Sequence, residues 1–310
     1  MSRSSLPSFL KTLYLFPRND IPTMIIPVTC LGTCAALSIQ ITPTDAEMWR
    51  ETLSRIPQTF LWVWINVLLF SISNQRSEEA MVEDAINKPW RPLPAGRISP
   101  SQARRLLLVG IPLVVALCHS YLGAVQETIV CLLLTWMYND LGGADEHFLI
   151  RNGVNSAAYF AYGCGAMRVA GSSSLGSGLN DGGYSWLGIV SAIILSTMHV
   201  QDLKDQEGDR ARGRSTAPLA IGDIPARWTI TVGVLTWSIL TPAYWLATVS
   251  SSLPGYYIRV MTATIPCILA GIVSVRVLLW RDPHSDTATY KYWSVWLMSI
   301  FALPLLKLTY

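Results

Sequence analysis

Three aspartates, Asp202, Asp205 and Asp209, stand three and four residues apart in the segment QDLKDQEGDRARGR, directly after the apolar run LGIVSAIILSTMHV. On one continuous helix, at about 100° per residue, they would fall within about 60° of one another. Three carboxylates on one stripe repel unless a cation joins them. A hard divalent ion answers that need: Mg2+ takes carboxylate and water oxygens and commonly shares them with substrate phosphates. Lys204 lies among the aspartates, and Arg210, Arg212 and Arg214 follow. Their ammonium and guanidinium groups suit phosphate oxygens. A charge run is ordinarily a solvated loop that ends a helix, but acids placed directly off an apolar run speak for a site. A second segment, NQRSEEAMVEDAINKPWRPLPAGRIS (74–99), repeats the order. Asn74 and Glu78 are one helical turn apart, Glu79, Glu83 and Asp84 follow, and then come Lys88, Arg91 and Arg97 in a proline-rich stretch. In both segments oxygen donors precede cations.

The elements that must position these residues are apolar. The chain has 310 residues, 51% of them hydrophobic and only 14% charged, with a net charge of +3 and a mean hydropathy of +0.37. Soluble domains carry roughly a quarter charged residues, so the expected class is an all-α integral membrane protein. About nine apolar runs approach spanning length, near 21–41, 57–75, 104–122, 124–141, 153–171, 184–201, 226–249, 256–280 and 290–309. Trp and Tyr recur at their ends, as in interfacial belts. With nine spans, most Lys and Arg fall on the side of the N-terminus, and only Arg50, Arg55, Arg259 and Lys307 fall opposite. That asymmetry puts the N-terminus and the charged loops in the cytoplasm. The first twenty residues lack the apolar core and cleavage site of a signal peptide. The six cysteines sit in apolar stretches without CxxC spacing and read as small buried residues. The Gly/Ser-rich stretch 170–183 reads as a flexible loop on the opposite side. No linker divides the chain, so residues 1–310 are expected to form one domain. The two charged segments occur four spans apart and suggest related halves around one cavity.

The segments NQ…E…NKPWRPLPAGRIS and DLKDQEGDRARGRSTAPLAIG, with the lead-in LYLFPRNDIP, resemble the two signature regions of the UbiA superfamily of intramembrane prenyltransferases. The resemblance covers nearly the whole chain. It implies nine transmembrane helices around a central cavity capped by cytoplasmic loops. It also implies Mg2+, held by two acidic motifs over the diphosphate of an isoprenoid. The metal ligands it suggests are Asn74, Glu78 and Asp84 in the first motif and Asp202, Asp205 and Asp209 in the second. The first motif departs from the usual NDxxDxxxD: Gln75, Glu78 and Val82 stand at its three acid positions, and Glu83 or Asp84 is left to supply the last carboxylate. That form, with YNDLGG (138–143), looks like a fungal branch that includes membrane-bound terpene cyclases.

The reading that follows is a cyclase that ionises a prenyl diphosphate, most simply farnesyl diphosphate, and closes the allylic cation into a hydrocarbon. Asp202 and Asp205 would act in ionisation, and Lys88, Arg91, Arg151, Lys204 and Arg212 would bind the diphosphate. Tyr138, beside Asn139 and Asp140, is the aromatic best placed to face the cation. Trp62, Trp64, Trp136, Tyr159, Phe160 and Tyr162 are further lining candidates, although single aromatics are more often packing. Asn155 is a candidate polar contact. His119 and His199 read as structural. The alternative is a prenyltransferase that passes the same cation to an aromatic or other small acceptor. A transporter gated by the charged loops is disfavoured, because few strong acids or bases lie deep in the runs, Arg168 excepted. The expected partners are the prenyl diphosphate and membrane lipid, with no nucleic acid and no obligate protein partner. The endoplasmic reticulum is the expected membrane.

Overall fold

Apolar runs interrupted by proline, glycine and charge build helices whose ends can be traced to particular residues. A computed structural model describes residues 6–38, 49–171, 179–248 and 255–307. Among the described residues the regular structure is entirely helical. Helix α1 (Leu6–Leu15) precedes a π-turn, Ile21–Ile25, that runs into α2 (Ile26–Ala36). Pro22 and Pro27 sit in first turns, where a missing N–H is harmless. The short α3 (Trp49–Ser54) leads to α4 (Ile56–Gln75). Ser77 then caps α5 (Glu78–Asn87) by accepting from the Ala80 amide. Ser99 and Gln102 form a capping box on α6 (Pro100–Leu117), which continues as a π-turn to Leu122 and stops at Gly123, φ 81°. After α7 (Val125–Asn139), α8 (Phe148–Gly171) and α9 (Asp181–Thr197), the chain tightens to a 3-10 turn over Met198–Asp202. Two short helices follow, α10 (Gln206–Arg212) and α11 (Ala217–Ala220), then α12 (Asp223–Leu246), α13 (Tyr256–Ala263), α14 (Ile265–Leu279) and α15 (Pro283–Phe301).

Helices occupy the described part of each of the nine apolar runs. Among the described residues, five stretches are long and apolar enough to cross a membrane: Ile56–Gln75, Pro100–Leu122, Asp181–Asp202, Asp223–Leu246 and Arg259–Leu279. Ile21–Ala36 is apolar but shorter. The C-terminal ends of the first, seventh and last runs, and positions 172–178 of the Gly/Ser-rich stretch, lie outside the described residues.

The core is held by close approach and by tryptophan. Gly32 of α2 meets Ala166 of α8 so closely that a Cβ would lie 2.6 Å from the Ala166 carbonyl carbon. Gly165 gives the same room to the Trp62 ring. Small residues at helix contacts are the usual device in a bilayer, where apolar burial does not drive association. Trp62, Trp186, Trp245, Trp293 and Trp296 are fully buried. Several place their N–H on a hydroxyl: Trp62 donates to Thr128 and Trp296 to Ser238. Meanwhile α6 turns Leu108, Val109 and Leu113 outward, and α12 turns Val232 and Ile239 outward. Such faces fit contact with lipid rather than with water.

Replacing Gly32 by valine should overpack the α2–α8 contact, at a cost of about 1–3 kcal/mol. The expected outcome is a lower thermal unfolding midpoint in detergent micelles. An unchanged midpoint would mean that the contact does not set stability.

Candidate active site

The expected helical stripe of aspartates does not form. Helix α9 ends at Thr197, the chain narrows through Met198–Asp202, turns over 203–205 and restarts as α10. The break matters because it sends the three carboxylates to three different surroundings. Arg151 of α8 donates through one nitrogen to both Asp202 oxygens, each at 2.7 Å. Asp205 accepts from Lys88 at 3.0 Å and from Lys204. Asp209 is 1% exposed, and neither of its oxygens has a hydrogen-bond partner. Its nearest cation is Arg214, at 3.5 Å.

The two charged segments meet directly, since α10 packs on α5. The Asn87 amide donates to the Asp205 carbonyl at 3.1 Å and accepts from the Gly208 amide at 3.2 Å. Gly208 is required there, because a Cβ would lie 2.3 Å from the Asn87 amide nitrogen. Glu83 of α5 accepts from Arg212 at 3.1 Å and pairs with Arg214 at 2.9 Å. Both arginines also reach Asp145 in the loop after α7.

Below this charged lip lies a central cavity of about 130 Å³. Asn74, Lys88, Arg91, Arg151 and Asp205 border its polar end together with Glu83, Arg214 and Asp20. Phe70, Tyr138, Tyr159, Tyr162 and Tyr290 supply aromatic lining, and Asn155 reaches it with a buried, unpartnered amide nitrogen. Tyr138 accepts from Arg151 Nε at 3.2 Å, so the ring nearest the charges is fixed by one of them.

The remaining candidates are placed elsewhere. Glu78 is exposed in the first turn of α5, away from the cavity lining. Asp84 is buried and held by Arg91 at 2.6 and 2.9 Å, which makes it a positioning partner for that guanidinium. Asn74 donates to Asn139 at 2.9 Å. Lys204 borders a neighbouring chamber, and Arg212 is taken up by Glu83 and Asp145. Trp62 is core, edge-on to Tyr162 at 5.9 Å. Trp136 is half exposed, and Phe160 stacks on Tyr184. His199 bonds to Thr229 outside the cavity. Arg168 pairs with Glu127 at 2.8 Å. Sequence reasoning did not single out Asp20, Asn87, Phe70 and Tyr290 as site residues. Asp20 and Asn87 lay within the quoted segments, as did Arg214, already named there as suited to phosphate, but nothing local marked Phe70 or Tyr290.

Burial first, and then the two ammonium groups, set the state of Asp205. Burial alone would raise its carboxyl, yet Lys204 and Lys88 hold it well below the ordinary range. Asp209 goes the other way: burial and the neighbouring Asp202 charge push it up to about 7. A buried carboxylate with no hydrogen bond, beside a second carboxylate, is where a cation lowers the energy most. A hard divalent ion suits these oxygen donors, among which Asp202 and Glu83 are the carboxylates whose charge reaches Asp209. Among the described residues, however, no three acidic, His or Cys side chains converge on one point. Arginines and lysines stand between them.

The described residues thus combine a charged lip, an aromatic cavity and helices long and apolar enough to cross a membrane. The UbiA prenyltransferase family matches residues 46–296, and the chain belongs to that family. It is 29% identical to the fumagillin beta-trans-bergamotene synthase of Aspergillus fumigatus, over 98% of this chain and 96% of that one. It is also 29% identical to the somaliensene A/B synthase of Streptomyces somaliensis, over 95% and 92%. A UbiA homolog from Archaeoglobus fulgidus, solved bound to DMAPP and Mg2+, shares the fold at a TM-score of 0.65 and 14% identity, over 95% of this chain and 99% of that one.

Asp209 yields a prediction with a definite sign. Its carboxyl is raised in the folded protein, so the protonated form favours folding. That contribution is complete below the ordinary carboxylate range and is lost as pH rises through about 7. In chelator, the unfolding midpoint should fall between pH 5 and pH 8, and Asp209→Asn should flatten the fall. Added Mg2+ should raise the midpoint of the wild type at pH 7.5 and leave Asp209→Asn unmoved. Identical profiles for the two proteins would remove Asp209 from the metal site.

Proposed function

We propose that the protein is a membrane-bound terpene cyclase that uses a prenyl diphosphate, with farnesyl diphosphate the first to test. The observation that carries this reading is the cavity itself. Cations and carboxylates gather at one end, aromatic rings line the wall, and α8 supplies both a cation, Arg151, and two of the rings, Tyr159 and Tyr162. The two synthases to which the chain is similar over nearly their whole length support it. In this reading all nine helical runs cross the bilayer, and the charged loops face the cytoplasm of an endoplasmic reticulum membrane.

The cavity is smaller than the roughly 300–1,000 Å³ of ordinary ligand sites, so binding requires the lip to exchange partners. The diphosphate takes over Lys88, Arg91, Arg151 and Arg214. Asp202, Asp205, Glu83 and Asp209 would then be the carboxylates to hold Mg2+. Within the first segment Glu83 and Asn74 would be its ligands, with Asp84 holding Arg91 in place. Mg2+, when bound, supplies Lewis-acid stabilisation of the leaving diphosphate. The guanidinium and ammonium groups stabilise the same developing charge electrostatically. Heterolysis carries the C–O electron pair onto the diphosphate oxygen and leaves an allylic cation. A double bond of the same chain closes on that cation, and loss of a proton to an oxygen of the freed diphosphate completes the hydrocarbon. Meanwhile Tyr138, Tyr159, Tyr162 and Phe70 keep water away, and each ring facing the cation stabilises it by about 0.5–2 kcal/mol.

Membranes carrying the protein, given farnesyl or geranylgeranyl diphosphate with Mg2+ and no acceptor, should release a cyclic hydrocarbon detectable by gas chromatography with mass detection. Chelator should abolish it. Asp202→Ala and Asp209→Asn should each lower turnover by about a hundredfold or more. No hydrocarbon from either substrate would favour transfer of the prenyl group to an acceptor. Full activity in both variants would overturn the metal assignment.

A further inference from the structure

A second chamber, of about 400 Å³, adjoins the central cavity on the side of the α1–α2 connection and α15. Asp20, Lys88, Arg91, Gln201, Asp205 and Tyr290 border both spaces and so form a common wall. The outer side adds three cations, Arg18, Lys204 and Lys291, and no further carboxylate. Five cations thus face two carboxylates. The ion pairs here join Lys88 and Lys204 to Asp205, and Arg91 to Asp84. Arg18 and Lys291 take part in no ion pair among the described residues. Arg18 lies over the Trp90 ring at 4.9 Å, which fixes its direction and leaves its donors free for an anion. Of the wall's two carboxylates, Asp20 is engaged by the Ser71 hydroxyl at 3.1 Å and has no ion pair. The chamber is therefore cationic beyond what its own acids balance, and it touches the central cavity through side chains that serve both.

Such a surplus selects a multiply charged oxyanion, because ammonium and guanidinium groups bind phosphate oxygens through charge-assisted hydrogen bonds. We propose that this chamber is a second anion site, one that takes a phosphate or diphosphate group. Its role is to receive the inorganic diphosphate freed in the central cavity and pass it to water. The role, though not the site, rests on the cyclase reading. Lys88 and Arg91 line both spaces, so the anion stays compensated as it crosses the wall. Leaving the central site for an uncharged passage would cost far more, since an anion stripped of partners in an apolar setting is strongly destabilised. The same phosphate chemistry is carried by phospholipid headgroups, which the experiment must separate from free diphosphate.

The test is binding of labelled inorganic diphosphate to the full-length protein in detergent, with Mg2+ and with chelator. Two classes of site are expected with Mg2+, and one, made of cations alone, should survive chelator. The double variant Arg18→Gln/Lys291→Gln should weaken the chelator-resistant class at least tenfold. It should keep the single-turnover rate of hydrocarbon formation while steady-state turnover falls behind a burst. Asp209→Asn should lose only the Mg2+-dependent class. Absence of chelator-resistant binding, loss of both classes with Asp209→Asn, or unchanged binding in the double variant would each overturn the proposal. Displacement of diphosphate by vesicles containing phosphatidic acid, but not by phosphatidylcholine alone, would overturn the release role and reassign the site to lipid headgroups. Because the binding arm needs no turnover, a failure of the cyclase reading would leave the chelator-resistant site standing.

Discussion

Opposite charges that share a buried seam are the constraint on which the rest of this protein depends. Taking an ion out of water is costly, and removing one member of a buried pair leaves the other uncompensated. Here Asp202 answers Arg151, Asp205 answers Lys88, and Glu83 answers Arg212 and Arg214. Each partner comes from a different element, so none of these charges is tolerable until α5, α8 and α10 are together. Asn87 and Gly208 fix that meeting without adding charge. Asp209 is the carboxylate of this seam left without a hydrogen bond, and burial beside the Asp202 charge raises its proton affinity. A metal and a diphosphate, with nearly cancelling charges, can enter such a seam by exchange of partners, leaving the total compensation almost unchanged.

The aromatic wall follows from ordinary helix periodicity. On α8, Arg151, Asn155, Tyr159 and Tyr162 recur at intervals of three or four residues and all reach the cavity. On α7, Cys131, Leu134, Thr135 and Tyr138 do the same. One rigid element therefore carries both a headgroup contact and the rings beneath it, and the distance from charge to ring is set by helix rise rather than by loop conformation. The close glycine contacts lie further along α8, where Gly32 of α2 meets Ala166 and Gly165 admits the Trp62 ring. They lock the part of the helix that follows Tyr162 against its neighbours. Another buried pair, Arg227 with Asp286 at 2.7 Å, ties α12 to α15. Asp223, which also accepts from Gln206, links that pair to the start of α10.

The sequence alone determined the class of protein, its all-helical build and the two charged segments, because these depend on composition and on spacing within a few residues. It pointed to the lip cations Lys88, Arg91 and Arg151 and to Tyr138, since they lie inside or beside the motifs. Local spacing could not reveal that the helix breaks between Thr197 and Gln206, which undoes a stripe argued from an unbroken helix. Nor could it choose among Glu78, Glu83 and Asp84. A slip of one residue turns a side chain by about 100° on a helix, and only the docking of α5 on α10 decides which one faces inward. Tertiary structure alone brought Phe70, Tyr290 and Asp20 to the cavity, and it set Lys204 and Lys291 around a separate chamber. Burial and charge compensation act between residues distant in the chain, so their outcome is written in the packing and not in the spacing.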